Sequence, residues 1–266
     1  MNELQKEEKF KILLETLFDE YQDYNNLINF IEDNGYDFDF AKDFVEELTK
    51  YEKDIENIFK LNIFDVDIDS FNIKFNTKVL NNVKEAIQTI KELEAFDFEK
   101  LCALYIEFLG TTGKPNVTRR SHDQGIDFVG VIEKEVLTRL FVKNMSINRL
   151  YLIGQAKHYK NDKVTSKEIR ELAGSLYLLK NQNFALLENP YKNLDIKAFT
   201  PIYSYFITSY YFSESAKRLC DNADIMPIDR ILLGFTFGLN NSYHDSLGNF
   251  SKDLLLQELH KIDYFS

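Results

Sequence analysis

The sequence predicts an α/β protein: a mixed sheet flanked by helices, preceded by an all-helical N-terminal domain. Three observations carry that reading. Charge changes along the chain: residues 1–95 hold 11 basic and 23 acidic side chains, a net of −12, while residues 96–266 hold 21 and 20, a net of +1. Periodicity changes at the same place, from apolar residues at helical spacing to helical stripes interleaved with short apolar or alternating runs. Beyond residue 95 the elements then follow as helix, strands, helix, strand, helix, strand, the order of a sheet with helices packed on it. The predicted domains are therefore 1–95 and 96–266.

Within the first domain, Phe10, Leu13, Leu14, Leu17, Phe18 and Tyr21 predict a helix. A second follows Asp23, with Leu27, Ile28 and Ile31, and stops at Asn34–Gly35. Phe40, Phe44, Leu48, Tyr51, Ile55, Ile58 and Phe59 form the stripe of a longer third helix, and Val79, Val83, Ile87, Ile90 and Leu93 that of a fourth, from about Lys78 to Glu94. Between them "IFDVDIDSFNIKF" alternates like a strand or an extended connector. Its Asp65, Asp67 and Asp69 match the start of a calcium-binding loop, but Ser70 stands where that loop needs Gly and Asn76 where it needs Glu, so an acidic extended segment is expected.

In the second domain "DFEKLCALYIEFLG" predicts a helix capped by Asp97 and ended by Gly110, with Leu101, Leu104, Tyr105, Phe108 and Leu109 inward. "NVTRR" and "GIDFVGVIE" read as strands, with residues 136–143 pairing back as a hairpin, and "LYLIGQAKHY" as the next strand. Thr165 opens a helix with a capping box to Glu168. "PIYSYFITS" is a buried strand, Ser213 caps a helix through Leu219, and "ADIMPI" is a last strand before a helix near 229–236. Tyr203, Tyr205, Tyr210 and Tyr211 are expected to pack in sheet and core.

At 44% apolar and 28% charged residues, the 266-residue chain has the composition of a globular protein with ample core. It has no apolar run long enough to span a bilayer, and "MNELQKEEKF" lacks a signal-peptide apolar segment, so a cytoplasmic location without membrane association is expected. Cys102 and Cys220 show no metal-ligand spacing and read as reduced packing residues. No nucleotide cofactor is indicated. The net charge of −11 argues against polyanion binding by the whole chain, yet between 134 and 170 nine Lys/Arg stand against three acids. That segment is suited to a phosphate backbone; the N-terminal domain is not.

The basic segment surrounds a polar pair, Gln155 and Lys157, at the end of an apolar strand. Alternation puts both on one face, which by itself fits a solvated edge or a site. Upstream, Asp127 stands between Ile126 and Phe128, where a buried carboxylate is costly without a cation. If the two strands are neighbours, Asp127, Gln155 and Lys157 converge. Oxygen ligands for a hard divalent cation beside a lysine are what phosphodiester hydrolysis near neutral pH requires.

The ordered segments "FEKLCALYIEFLG", "VTRRSHDQGIDFVG", "YLIGQAKHY", "VTSKEIRELAGSL", "YFITSYYFSESAKRLC" and "IMPIDRILL" resemble the Mrr-like restriction endonuclease catalytic domain of the PD-(D/E)xK nuclease superfamily, over roughly residues 96–235. The resemblance implies that Asp127, Gln155 and Glu99 form a Mg²⁺ site, with Gln155 offering its amide carbonyl in place of the usual acid. It implies that Lys157 positions or activates the attacking water. Arg119, Arg120, His158, Lys160 and Lys163 would face the backbone of double-stranded DNA, with His122 adjoining the site. A bacterial restriction or defence role and a homodimer, one active site per strand, follow by the same resemblance. The chain departs from the usual pattern in Gln124 before Gly125 and in a long basic connection over 133–149. Two alternatives stand beside this reading: a junction or repair nuclease on the same core, and an inactive module that binds DNA or protein. Recognised bases, dependence on modified DNA and the cleavage offset are not written in the sequence.

Overall fold

The computed structural model describes residue 9 and residues 27–59, 62–118, 125–133, 149–183, 191, 194, 196 and 198–263. The expected helix over Phe10–Tyr21, the hairpin arm at 136–143, and Arg119, Arg120 and His122 lie outside the described residues. The chain divides into two compact units, Met1–Val83 and Lys84–Ser266.

In the first unit, helix α1 (Leu27–Asp33) ends at the predicted stop. Gly35 has φ +83°, its N–H bonds to Glu32 O at 2.8 Å, and the Tyr36 N–H bonds to Ile31 O at 3.1 Å. This left-handed cap satisfies the last carbonyls at no cost only because glycine has no Cβ. Helix α2 (Phe38–Phe59) buries Phe40, Phe44 and Leu48 on its predicted stripe. The acidic connector is an antiparallel hairpin of β1 (Phe64–Asp67) and β2 (Asn72–Phe75). Asp67 closes its turn, accepting from the Asp69 and Ser70 N–H groups and from the Ser70 hydroxyl, which holds its carboxyl below the ordinary range. Its spacing from Asp65 and Asp69 thus serves turn geometry. Helix α3 (Thr77–Glu92) follows and runs across the division between the units.

The second unit is built on a five-stranded mixed sheet in the order β3 (Asn116–Val117), β4 (Phe128–Glu133), β5 (Arg149–Lys157), β6 (Ile202–Thr208), β7 (Ile225–Ile228). The first three strands pair antiparallel and the last three parallel. Strand β5 is therefore central, and its residues alternate between two apolar layers. Tyr151 and Ile153 join one layer, with helices α5 (Ser166–Lys180) and α6 (Glu214–Asn222). Leu152 and Ala156 join the other, with α4 (Ala95–Phe108), α7 (Arg230–Gly238) and α8 (Lys252–Leu259). Burial on both faces explains why β5 reads as an apolar run rather than an alternating one. At the β7 edge Pro227 removes a ladder donor, which blunts that edge against a further strand.

Several expectations shift in detail. Helix α4 begins at Ala95 behind Glu94, so Asp97 lies in its first turn rather than at its cap. Its Phe108 and Leu109 are exposed, because the last turn runs past the sheet that covers Leu101, Leu104 and Tyr105. Helix α8, capped by Ser251, is not among the elements expected from periodicity, yet its Leu255 and Leu259 complete the layer around Phe98 and Phe237. Both cysteines are free and buried, as expected. Among the described residues no helix is long and apolar enough to cross a membrane.

The capping box of α5 is complete: Thr165 caps the helix and the Glu168 carboxylate accepts from the Thr165 N–H at 3.0 Å. Thr165→Ala is expected to destabilise the fold by about 1 kcal/mol, read as a lower urea midpoint with unchanged slope.

Candidate active site

Strands β4 and β5 meet in a register that pairs Phe128 with Gly154. The residue before Phe128 is Asp127, just ahead of the strand rather than inside it. Its N–H still bonds to Gly154 O at 2.9 Å, while its carboxylate takes the next position of the ladder: the Ala156 N–H donates to Asp127 Oδ2 at 2.7 Å. Ala156 lies between Gln155 and Lys157, so this bond fixes Asp127 against the polar pair. The register thus brings Asp127, Gln155 and Lys157 to one end of the β4–β5 ladder.

Thr118 clamps the other side of Asp127. Its N–H bonds to Asp127 O at 2.9 Å and its hydroxyl donates to Ile126 O, so two successive carbonyls at the approach to β4 are held. Gly125 opens the approach to Asp127 with φ +83°, and a Cβ there would stand 2.4 Å from Ser175 Oγ of α5. Glycine is required by the conformation, and a larger residue would also have to turn the Ser175 hydroxyl aside.

Asp127 is 9% exposed and Gln155 5%. The Gln155 carbonyl oxygen is buried and has no hydrogen-bond partner among the described residues. Such an atom costs on the order of 1–3 kcal/mol if left unmatched, and it belongs to the residue next to Ala156, whose N–H holds the Asp127 carboxylate. Glu99 lies on α4 and is partly buried. The Cys102 thiol is pushed well above its ordinary range by burial first, and then by the charges of Asp127 and Glu99 together. Among the described residues no three His, Cys, Asp or Glu side chains cluster as a metal site. The oxygen set consists of two carboxylates and an amide, which suits a hard cation such as Mg²⁺, Mn²⁺ or Ca²⁺ rather than a thiophilic one. The held Asp127 carboxylate and the buried Gln155 oxygen fit the divalent ion that their pattern implies.

Lys157 is partly buried at the end of β5, and its carbonyl accepts from the Ser209 N–H at 3.2 Å and the Thr208 hydroxyl at 3.0 Å. Lys160 and Lys163 are exposed on the loop that follows. That loop is closed by Val164, whose N–H bonds to Tyr211 O and whose carbonyl accepts from the Ser213 N–H, each at 2.9 Å.

His158 differs from expectation: its ring is turned inward. Nε2 lies 2.7 Å from Leu93 O, Nδ1 lies 2.6 Å from Ser209 Oγ, and the ring stacks on Phe98 at 5.0 Å. A carbonyl only accepts, so Nε2 carries the proton, and neither nitrogen remains for a phosphate. Burial holds the imidazole pKa below its ordinary 6.5. The unfolded chain thus takes up a proton that the folded ring resists. This histidine's contribution to stability is full above pH 6.5 and lost as the pH falls below it. In thermal scans from pH 7.5 to pH 5.5, the wild type is expected to lose more stability than His158→Gln.

Two further residues of the site, Thr118 and Gly154, are not among those the sequence reading selects. Thr118 is a polar residue closing a buried strand. Gly154 is a strand-interior glycine, a mark of close approach: a Cβ there would lie 2.3 Å from the Phe128 ring and 2.4 Å from Tyr205 O.

Residues 90–189 match the Mrr_cat family model, described as a restriction endonuclease. That span contains Glu99, Thr118, Asp127, Gln155 and Lys157. No curated protein sequence matches the chain. Among solved structures, the chain is similar to the MspJI restriction endonuclease in complex with a 27-mer oligonucleotide, at 15% identity and a TM-score of 0.45, over 70% of this chain and 36% of that one. It is also similar to the DNA modification-dependent restriction endonuclease AspBHI, at 14% identity and a TM-score of 0.42, over 68% and 39%. The chain thus spans well under half the length of either.

Proposed function

We propose that this chain, whose residues 90–189 form a restriction-endonuclease domain of the Mrr type, is a Mg²⁺-dependent nuclease that hydrolyses phosphodiester bonds of double-stranded DNA. The observation that carries the reading is the buried Gln155 carbonyl oxygen, without a partner among the described residues, on the strand whose Ala156 N–H holds the Asp127 carboxylate and whose end carries Lys157. Asp127, Gln155 and Glu99 would hold the cation, which when bound lowers the pKa of a water and offsets phosphate charge. Asp127 is held for this by the Ala156 N–H, so a ligand oxygen is oriented before any ion arrives. Gln155 contributes a dipole rather than a charge, which leaves the site one negative charge short of a three-carboxylate site. Lys157 supplies positive charge and a proton donor near the attacked phosphate, the direction in which charge develops.

Restriction or defence against foreign DNA in a bacterial cytoplasm is the setting we assign, with a homodimer supplying one site per strand. The acidic N-terminal domain, 1–95, repels a phosphate backbone; we assign it to dimerisation, partner contact or restraint of the nuclease. Incubating the full chain with supercoiled plasmid tests the reading. Nicked and linear products are expected with Mg²⁺ and none with EDTA. No products with Mg²⁺, on plain, methylated and branched duplexes alike, would refute it in favour of an inactive binding module.

A further inference from the structure

At the end of the sheet where β5, β6 and β7 all finish, a second polar cluster stands beside the site. Tyr210 and Tyr211 follow β6, and Arg230 opens α7 just after β7. The Arg230 guanidinium carbon lies 5.0 Å from the Tyr210 ring centre and 4.4 Å from that of Tyr211. One of its terminal nitrogens donates to the Tyr211 hydroxyl at 2.6 Å, and the Arg230 N–H bonds to Tyr210 O at 3.2 Å. The two rings are themselves 4.8 Å apart and tilted by 55°, so the cation rests against a tyrosine pair that restricts its position.

Only one hydrogen bond among the described residues uses this fork. No carboxylate among them pairs with Arg230, and its Nε has no acceptor there. The adjacent Asp229 does not neutralise it, because that carboxylate accepts from the Ile231 and Leu232 N–H groups as the helix cap. Nε is buried, so the capacity left for an incoming acceptor lies on the terminal nitrogens, which make one hydrogen bond among the described residues. Its neighbourhood is continuous with the proposed cleavage site. Tyr211 O holds Val164 and so closes the loop bearing Lys160 and Lys163, and Ser209, one residue before Tyr210, bonds to Lys157 O.

We propose that Arg230, held against the Tyr210–Tyr211 pair, is a docking point for a phosphodiester of the DNA backbone, positioning the duplex on the strand ends that carry Lys157. The inference rests on the DNA-cleaving reading and adds a contact outside its metal site. A guanidinium fork matches a phosphate's paired oxygens, and such a contact supplies affinity and register without reading sequence.

Binding of the full chain to a labelled duplex, in EDTA and over a range of NaCl concentrations, tests the proposal. Arg230→Gln is expected to weaken binding about tenfold and to lower the dependence of log K on log salt by about one unit. Arg230→Lys is expected to keep that slope while losing affinity a few-fold, since a point charge lacks the fork. Melting temperatures accompany each measurement; should Arg230→Gln fail to fold, Arg230→Lys and Tyr211→Phe carry the test, both being expected to weaken binding. If the variants fold and bind with wild-type affinity and slope, the cluster is only a staple between β6 and α7 and the proposal falls. If wild type binds no duplex at all, the DNA-cleaving reading itself falls, so the two failures are separable.

Discussion

Asp127→Asn is expected to reduce DNA cleavage by on the order of 10³-fold while the protein stays folded and still binds duplex DNA. Asparagine keeps an oxygen where the Ala156 N–H donates at 2.7 Å, so the end of the β4–β5 ladder is preserved. What the variant removes is the negative charge. Gln155, the proposed neighbouring ligand, is neutral, so in the proposed site Asp127 and Glu99 would supply the charge that attracts a divalent ion. Raising the Mg²⁺ concentration is expected to restore only part of the rate, because charge at the site, and not occupancy alone, has been lost. Cleavage at wild-type rate by Asp127→Asn would refute the assignment of the site.

Gly154→Ala is expected to cost about 3 kcal/mol of stability, seen as a melting temperature lower by roughly 10 °C. Gly154 does not adopt a positive φ, so its backbone conformation is open to alanine. The obstacle is space: a Cβ would meet the Phe128 ring at 2.3 Å and Tyr205 O at 2.4 Å. Phe128 is fully buried in the layer that also contains Leu152, Cys102 and Ile207, and it has nowhere to move. Tyr205 O belongs to the adjacent strand, which the parallel ladder holds in place. The strain falls on the register that sets Asp127 beside Gln155, so cleavage is expected to fall along with stability. A melting point within about 2 °C of wild type would show that the core has more slack than the geometry allows.

Much of the candidate site is legible in the amino-acid sequence. Asp127, Gln155 and Lys157 stand out there because a carboxylate and a polar pair inside apolar strands are expensive without a shared task. Strand alternation alone puts Gln155 and Lys157 on one face. The capping box at Thr165, the stop at Gly35 and the cap at Ser213 are readable because each rests on interactions within a few residues. His158 departs from its expected role for the opposite reason. Its partners, Leu93 O and Ser209 Oγ, are far away in the chain, and only the packing of α4 on the sheet brings them to the ring. The same holds for Arg230, whose cluster is assembled from the ends of two different strands. The expected sheet and core packing of the tyrosines holds for Tyr205, which is buried, whereas Tyr203 is exposed and Tyr210 and Tyr211 serve the arginine.

The elements, the two apolar faces of the central strand and the residue types of a phosphodiesterase site are all written in the order of the amino acids. They follow from short-range physics: periodicity, capping and the cost of burying polar groups. Folding in three dimensions sets the rest: the register of β4 on β5, which polar side chains are spent on the fold, and which keep unused bonding capacity. Those outcomes depend on contacts between segments tens of residues apart, where a single slip of register would send the same side chains to the other face.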